Sequence, residues 1–158
     1  MPAAPSATLL FEHPSRKVAR RPLREFFART SEQILGARDA ACLIAGDARL
    51  RGLNREFRAQ DYPTDVLSFP NEEGGGEIAI SLDAAQRQAA GLGHDLEQEL
   101  RILMVHGLLH LAGMDHETDS GEMARAEARW RKRLGLVPGL IERSRANGAR
   151  ANREKAGR

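Results

Sequence analysis

Three histidines within eleven residues constrain this chain more than any other feature: His106, His110 and His116 stand at offsets 0, 4 and 10, with Gly113 at offset 7. A helix over Gln98–Ala112 places His106 and His110 one turn apart on the same face, where both rings can reach one ion. Gly113 then stops the helix by taking a left-handed conformation, and the chain turns so that His116 folds back towards the same ion. Three imidazole nitrogens on a tetrahedral ion leave the fourth position to water, which is the arrangement of a catalytic site and not of a closed structural one. The expected cofactor is one Zn2+ held by His106, His110 and His116, although copper, nickel or iron would also accept imidazole ligands.

The spacing follows the long zinc-protease pattern, His-Glu-x-x-His-x-x-Gly-x-x-His, at every histidine and at the glycine, so the segment is expected to form a zincin-like metal helix. Position 107 is glycine, where that pattern needs a glutamate as general base. The metal geometry therefore points to a hydrolase with a substrate other than a peptide. His13 and His94 each stand alone among loop-like polar neighbours and read as ordinary structural histidines.

A chain of 158 residues, 41% of them hydrophobic, fits one domain with a real core. No basic stretch followed by a long apolar run opens the sequence. The longest uncharged run, Ile102–Met114, has 13 residues and contains two histidines, so neither a secretory signal nor a membrane span is expected. Cys42 is the only cysteine, which excludes an internal disulfide and fits a reducing, cytoplasmic address. It lies in the apolar run Ala40–Ala45 and reads as a small core residue. The formal charge of +2 is unevenly placed: residues 138–158 carry six of the 24 basic and two of the 22 acidic side chains, leaving the rest of the chain at −2. The reading is a single domain over 1–137 and a basic, disordered tail over 138–158, with at most a weak, salt-sensitive attraction to phosphates.

Periodicity predicts a short strand at Thr8–Phe11, a helix at Pro22–Leu35 with Leu23, Phe26, Phe27 and Ile34 inward, and a buried strand at Ala41–Ala45. Asp47 is expected to cap a helix to about Phe57, with Leu50, Leu53 and Phe57 on one stripe. Val66–Phe69, bracketed by Pro63 and Pro70, reads as an edge strand that pairs through Gly74-Gly75-Gly76 with Glu77–Ile80 in an antiparallel hairpin. Ser81 is expected to cap a helix to about Ala90. The final helix is expected near Asp119, with Glu122 completing a capping box and Met123, Ala126, Trp130 and Leu134 on its inner face until Gly135. The fold class is α+β, with a small mixed sheet of about four strands packed against helices.

Three separate segments, His106–His116, Leu53-Asn54-Arg55-Glu56-Phe57-Arg58 and Pro63-Thr64-Asp65-Val66-Leu67-Ser68-Phe69-Pro70, together resemble the YbeY family of bacterial endoribonucleases and rRNA maturation factors. The resemblance runs from the first strand through Leu136, including Gly76-Glu77-Ile78 and Glu99, and omits the tail. Met114 stands where a tyrosine is common, and Phe57 where a tyrosine often precedes the family's arginine. The resemblance implies a zinc-dependent, single-strand-specific endoribonuclease acting in maturation of the 16S rRNA 3′ end and in ribosome quality control. The partners it implies are single-stranded RNA, the small ribosomal subunit and its assembly factors, with neither DNA nor membrane.

Arg58 matches the family's functional arginine. A guanidinium can grip two phosphate oxygens and stabilise charge that builds on phosphorus, although the residues alone also allow a plain surface arginine at a helix end. Asp115, beside the third histidine, is a second catalytic candidate: it can orient a ligand or accept a proton, and capping the turn after Gly113 explains it equally well. Asp65 and Ser68 are expected at the rim of the cleft or in strand-end hydrogen bonds. Two other readings stay open at this level, a non-catalytic assembly factor stiffened by zinc and an unusual metallopeptidase. Ligand count separates them, because a fourth ligand from Asp115 or Cys42 would make the site structural.

Overall fold

The structure is a computed structural model that describes residues 6–58 and 64–143. Pro63, expected to bracket the third strand, and residues 144–158 of the basic segment lie outside the described residues. Four strands, β1 (Ala7–Phe11), β2 (Ala40–Ala45), β3 (Val66–Pro70) and β4 (Gly76–Ser81), form one mixed sheet in the order β1-β2-β4-β3. β1 and β2 run parallel, as do β2 and β4. β3 and β4 make the expected antiparallel hairpin, with β3 on the edge, where Pro70 can end it without interrupting a central ladder. The three loop glycines all take positive φ, +84°, +76° and +137°, which is why that loop needs residues without a Cβ.

Alternation along the strands sorts the two faces of the sheet. Cys42, Ile44, Ile78 and Ile80 join Leu9 on one face and pack with α1 (Arg20–Leu35), α4 (Leu96–Leu111) and α5 (Glu122–Leu134) into the main core. Ala45, Leu67 and Ala79 project to the other face and meet Leu50 of α2 (Asp47–Arg58). α3 (Leu82–Leu92) follows β4 and packs on α4. Eleven residues of α4 are buried, so the helix that carries two of the histidines runs through the centre of the domain. Gly107 lets it lie this close to the sheet, since a Cβ there would come within 2.9 Å of Ile78.

Several boundaries differ from expectation for local reasons. α1 starts at Arg20, two residues early, with Pro22 in its first turn. Ser81 caps α3 as expected, accepting the Ala84 N–H at 3.1 Å. Asp47 is the first residue of α2 and not its cap: its N–H goes to Asp83 Oδ2 at 2.9 Å, and its carboxylate is engaged by Ser81 and Arg87. Phe57, expected on the inner stripe, is 61% exposed. α5 begins at Glu122 because Gly121, at φ +97°, turns the chain first; Asp119 still caps, accepting the N–H groups of Gly121 and Met123.

The segment read as an unpacked tail from Pro138 onwards is corrected for its first residues. A helical turn spans 140–143, Ile141 is buried, and Leu140 packs on the core. The net positive charge of the tail hides this short apolar pair. Among the described residues, no helix is long and apolar enough to cross a membrane.

Candidate metal centre

One helical turn separates His106 from His110 on α4, and their rings meet edge-on with centroids 4.8 Å apart. After Ala112 the chain reverses at Gly113, φ +98°, and the Met114 N–H reaches back to the Leu109 carbonyl at 3.1 Å. That reversal returns His116 to within 5.5 Å and 5.6 Å, centroid to centroid, of the other two rings. One ring nitrogen from each histidine then lies within 4.8 Å of the other two.

The remaining nitrogens are held from behind. His110 Nδ1 is 2.9 Å from the Met114 carbonyl oxygen, which can only accept, so the proton sits on Nδ1 and the Nε2 lone pair is left for the cleft. His106 Nδ1 is 3.0 Å from Glu127 Oε2, and the carboxylate fixes the same tautomer there. Burial, then the neighbouring His106 ring, pushes the His110 imidazole down to about 4, against the opposing pull of the Met114 carbonyl. His110 is therefore neutral near pH 7, as a metal ligand must be. Among the described residues, no cysteine or carboxylate joins the trio. Cys42 is buried in β2 within the main core, its thiol pushed up by that burial, so it supplies no fourth ligand. Three convergent imidazoles fit a divalent ion such as Zn2+ with a position left open.

The histidines line a cleft of about 560 Å³ together with Arg58, Asp65, Ser68 and Asp115. α2 ends at Arg58, whose Nη2 donates to the Ser68 carbonyl at 2.8 Å and whose guanidinium lies 6.0 Å from the Phe69 ring. The arginine that matches the family's functional one thus lines the same cleft as the histidines. Asp115 is exposed there, and its carboxylate accepts the Glu117 N–H and the Thr118 hydroxyl, each at 3.1 Å, so it caps the turn that presents His116. Asp65 accepts the Val66 N–H at 2.9 Å and the Gln88 amide at 3.1 Å, the strand-end bonding that was one of its two readings. Met123 is fully buried core, and Trp130 packs half-buried beside it. Glu127 was missed. Its only mark in the sequence is a glutamate four residues after Met123, inside the apolar stripe of α5.

The family described as Endoribonuclease YbeY matches residues 13–135. This chain belongs to that family. Proteins described as Endoribonuclease YbeY include one from Solibacter usitatus, 56% identical over 126 residues covering 78% of this chain and 86% of the relative. Another, from Koribacter versatilis, is 47% identical over 147 residues and covers 84% and 97%. A solution structure of the Thermotoga maritima protein TM1509 superposes with a TM-score of 0.59 at 31% identity, covering 78% of this chain and 85% of that one. The YbeY match includes the three histidines, Arg58 and Glu127, and ends before the helical turn at 140–143.

Proposed function

We infer that this protein is a zinc-dependent endoribonuclease that cuts single-stranded RNA. One observation carries the reading: three imidazoles converge in the cleft that Arg58 also lines. A bound divalent ion would supply a Lewis acid for a phosphate oxygen or for the attacking group. Arg58, anchored on the Ser68 carbonyl, is placed to bind a phosphate and to stabilise charge that develops on its oxygens. Met114 and Glu127 hold the protons of His110 and His106 on the far side of their rings, and Asp115 holds the turn of His116. Asp115 acts in this scheme by positioning a ligand, through the Glu117 N–H and the Thr118 hydroxyl that tie it to the turn of His116.

Within this reading the substrate is the 3′ end of 16S rRNA, and the setting is cytoplasmic maturation and quality control of the small ribosomal subunit. Support for that finer statement is the family membership together with the three motifs that carry it. A peptidase is disfavoured because position 107, where a general base would stand, is pressed against Ile78. The test is cleavage of a single-stranded RNA spanning the 16S 3′ end by the zinc-loaded protein, with His110→Ala purified in parallel. Cutting by the wild type alone supports the nuclease. Equal cutting by both, or none by either, turns the assignment to an assembly factor that zinc only stiffens. Arg58→Ala is expected to keep its zinc and lose about a hundredfold in cleavage rate, the cost of removing one preorganised donor.

A further inference from the structure

Glu127 is 2% exposed, and its two oxygens serve different parts of the molecule. Oε2 takes His106 Nδ1 at 3.0 Å. Oε1 takes the Ile141 N–H at 2.8 Å and, more loosely, the Glu142 N–H at 3.4 Å. Those two N–H groups open the helical turn at 140–143 and have no acceptor within it, so a carboxylate from α5 caps the turn. Gly139 allows the approach, because a Cβ there would fall on the Glu127 carboxylate. The same segment is tied down elsewhere: Val137 N–H to Gln98 at 3.3 Å, Arg131 to Glu142 at 2.8 Å, and Arg143 by two 2.9 Å bonds to Glu99. Leu140, between these anchors, lines the cleft of the histidines.

We propose that Glu127 is a positioning residue that couples the seating of the Val137–Arg143 strap to the metal affinity of the site. The inference rests on the metal reading given above and not on the identity of the RNA. A carboxylate that accepts the Nδ1–H of a ligating histidine fixes the ring and raises its basicity, an effect of about 10- to 100-fold on metal affinity. That carboxylate keeps its aim only while the strap occupies its other oxygen. If the strap withdraws, a buried acceptor loses its partner and is drawn to re-aim. Thermodynamic linkage makes the effect reciprocal, so an ion that favours the oriented His106 ring also favours the seated strap. Glutamine cannot replace the glutamate, since an amide has one acceptor oxygen and two donor sides face it.

The experiment uses the full chain. Zn2+ affinity is measured by competition with a chromogenic chelator for the wild type, Glu127→Gln and Gly139→Ala, and hydrogen exchange of the amides at 139–143 is followed with and without Zn2+. Both variants are expected to bind Zn2+ about 10- to 100-fold more weakly. Zn2+ is expected to slow exchange at Ile141 and Glu142 in the wild type and to leave Glu127→Gln unaffected. Gly139→Ala adds one methyl and keeps the glutamate, so it still tests the coupling if Glu127→Gln does not fold. Wild-type affinity in the variants, exchange that ignores Zn2+, or a wild type that takes up no Zn2+ overturns the proposal. Intact coupling in a protein that does not cut RNA sinks only the nuclease reading, and cutting without coupling sinks only this one.

Discussion

Two regions of this molecule are built from the same side chains and end in opposite conditions. At the junction of β2 and β4 with α2 and α3, His13, Asp47, Ser81, Asp83 and Arg87 form a closed cluster. His13 uses both nitrogens inside the chain, Nδ1 accepting the Ser15 N–H at 3.1 Å and Nε2 donating to Asp83 at 2.8 Å. Asp47 accepts from Ser81 at 2.6 Å and from Arg87 at 2.8 Å and 3.2 Å. In the metal cleft, His106 and His110 each spend one nitrogen on a partner behind the ring and keep the other. A histidine whose capacity is exhausted within the fold is structure, and one left with a lone pair beside two others is chemistry. Residue type separates the two regions less well than this remaining capacity does.

The comparison breaks if the regions turn out to be interchangeable, and the largest expected effect tests that first. His110→Ala should weaken Zn2+ binding by about a thousandfold or more in a chelator competition, the loss of one of three protein ligands, whereas His13→Ala should leave that affinity unchanged. Asp47→Ala should cost about 2 kcal/mol in urea unfolding, because it leaves the buried Ser81 hydroxyl, which donates to Asp47 while it caps α3, without an acceptor for its proton, again with normal Zn2+ affinity. A loss of zinc in Asp47→Ala would mean that the cluster reaches the cleft. His13→Ala should cost about 1 kcal/mol, one hydrogen bond to a charged group at a half-buried place.

The smallest effect, and the sharpest in pH, separates the regions by window. Metal-free protein carries a neutral, half-buried His110 at about 4, below its ordinary 6.5, so the unfolded chain binds the proton more readily. Stability from the cleft should therefore fall as pH drops from 6.5 towards 4 and change no further below that. Asp47 is held below the ordinary carboxylate value of 3.8 first by its bond from Arg87, and Asp83 first by the Asp47 N–H and then by His13. Their stabilisation is complete above about 4 and is lost only as pH falls through the lowered values. Unfolding midpoints from pH 7 to 2.5 should show two steps, and saturating Zn2+ should suppress the upper one alone. A single step in the metal-free protein contradicts the assignment.

What could be read in the sequence was local. The 0, 4, 10 spacing and Gly113 specify the metal turn because helix geometry and a glycine reversal act within one stretch of chain. The hairpin at the triple glycine and the Ser81 cap are local in the same sense. The parallel pairings of β1, β2 and β4 were not readable, since nothing near any strand names its neighbour. Neither were the partners of His13 and His94, which lie 70 and five residues away. His94 shares Glu99, fully buried, with Arg143 from the strap, an ion pair across 44 residues. Asp47 was misplaced because its partners, Ser81, Asp83 and Arg87, lie more than 30 residues on, and Phe57 because at the end of α2 its ring meets the edge strand at Phe69, 5.5 Å away, and stays exposed.

β3 closes the sheet on the side of the cleft, and its backbone is half used. Ser81 N–H reaches Asp65 and Asn71 N–H reaches Gly75, so the odd-numbered residues of β3 face β4 and the Ser68 carbonyl turns outward. Arg58 takes that carbonyl. An exposed strand edge invites a second strand, from a peptide or from another copy of the chain, and a charged side chain laid across it is one of the ways proteins refuse. Besides lining the cleft, Arg58 thereby occupies the outward carbonyl through which an extended polypeptide would pair with β3, so one side chain serves both the wall of the cleft and the closure of the sheet.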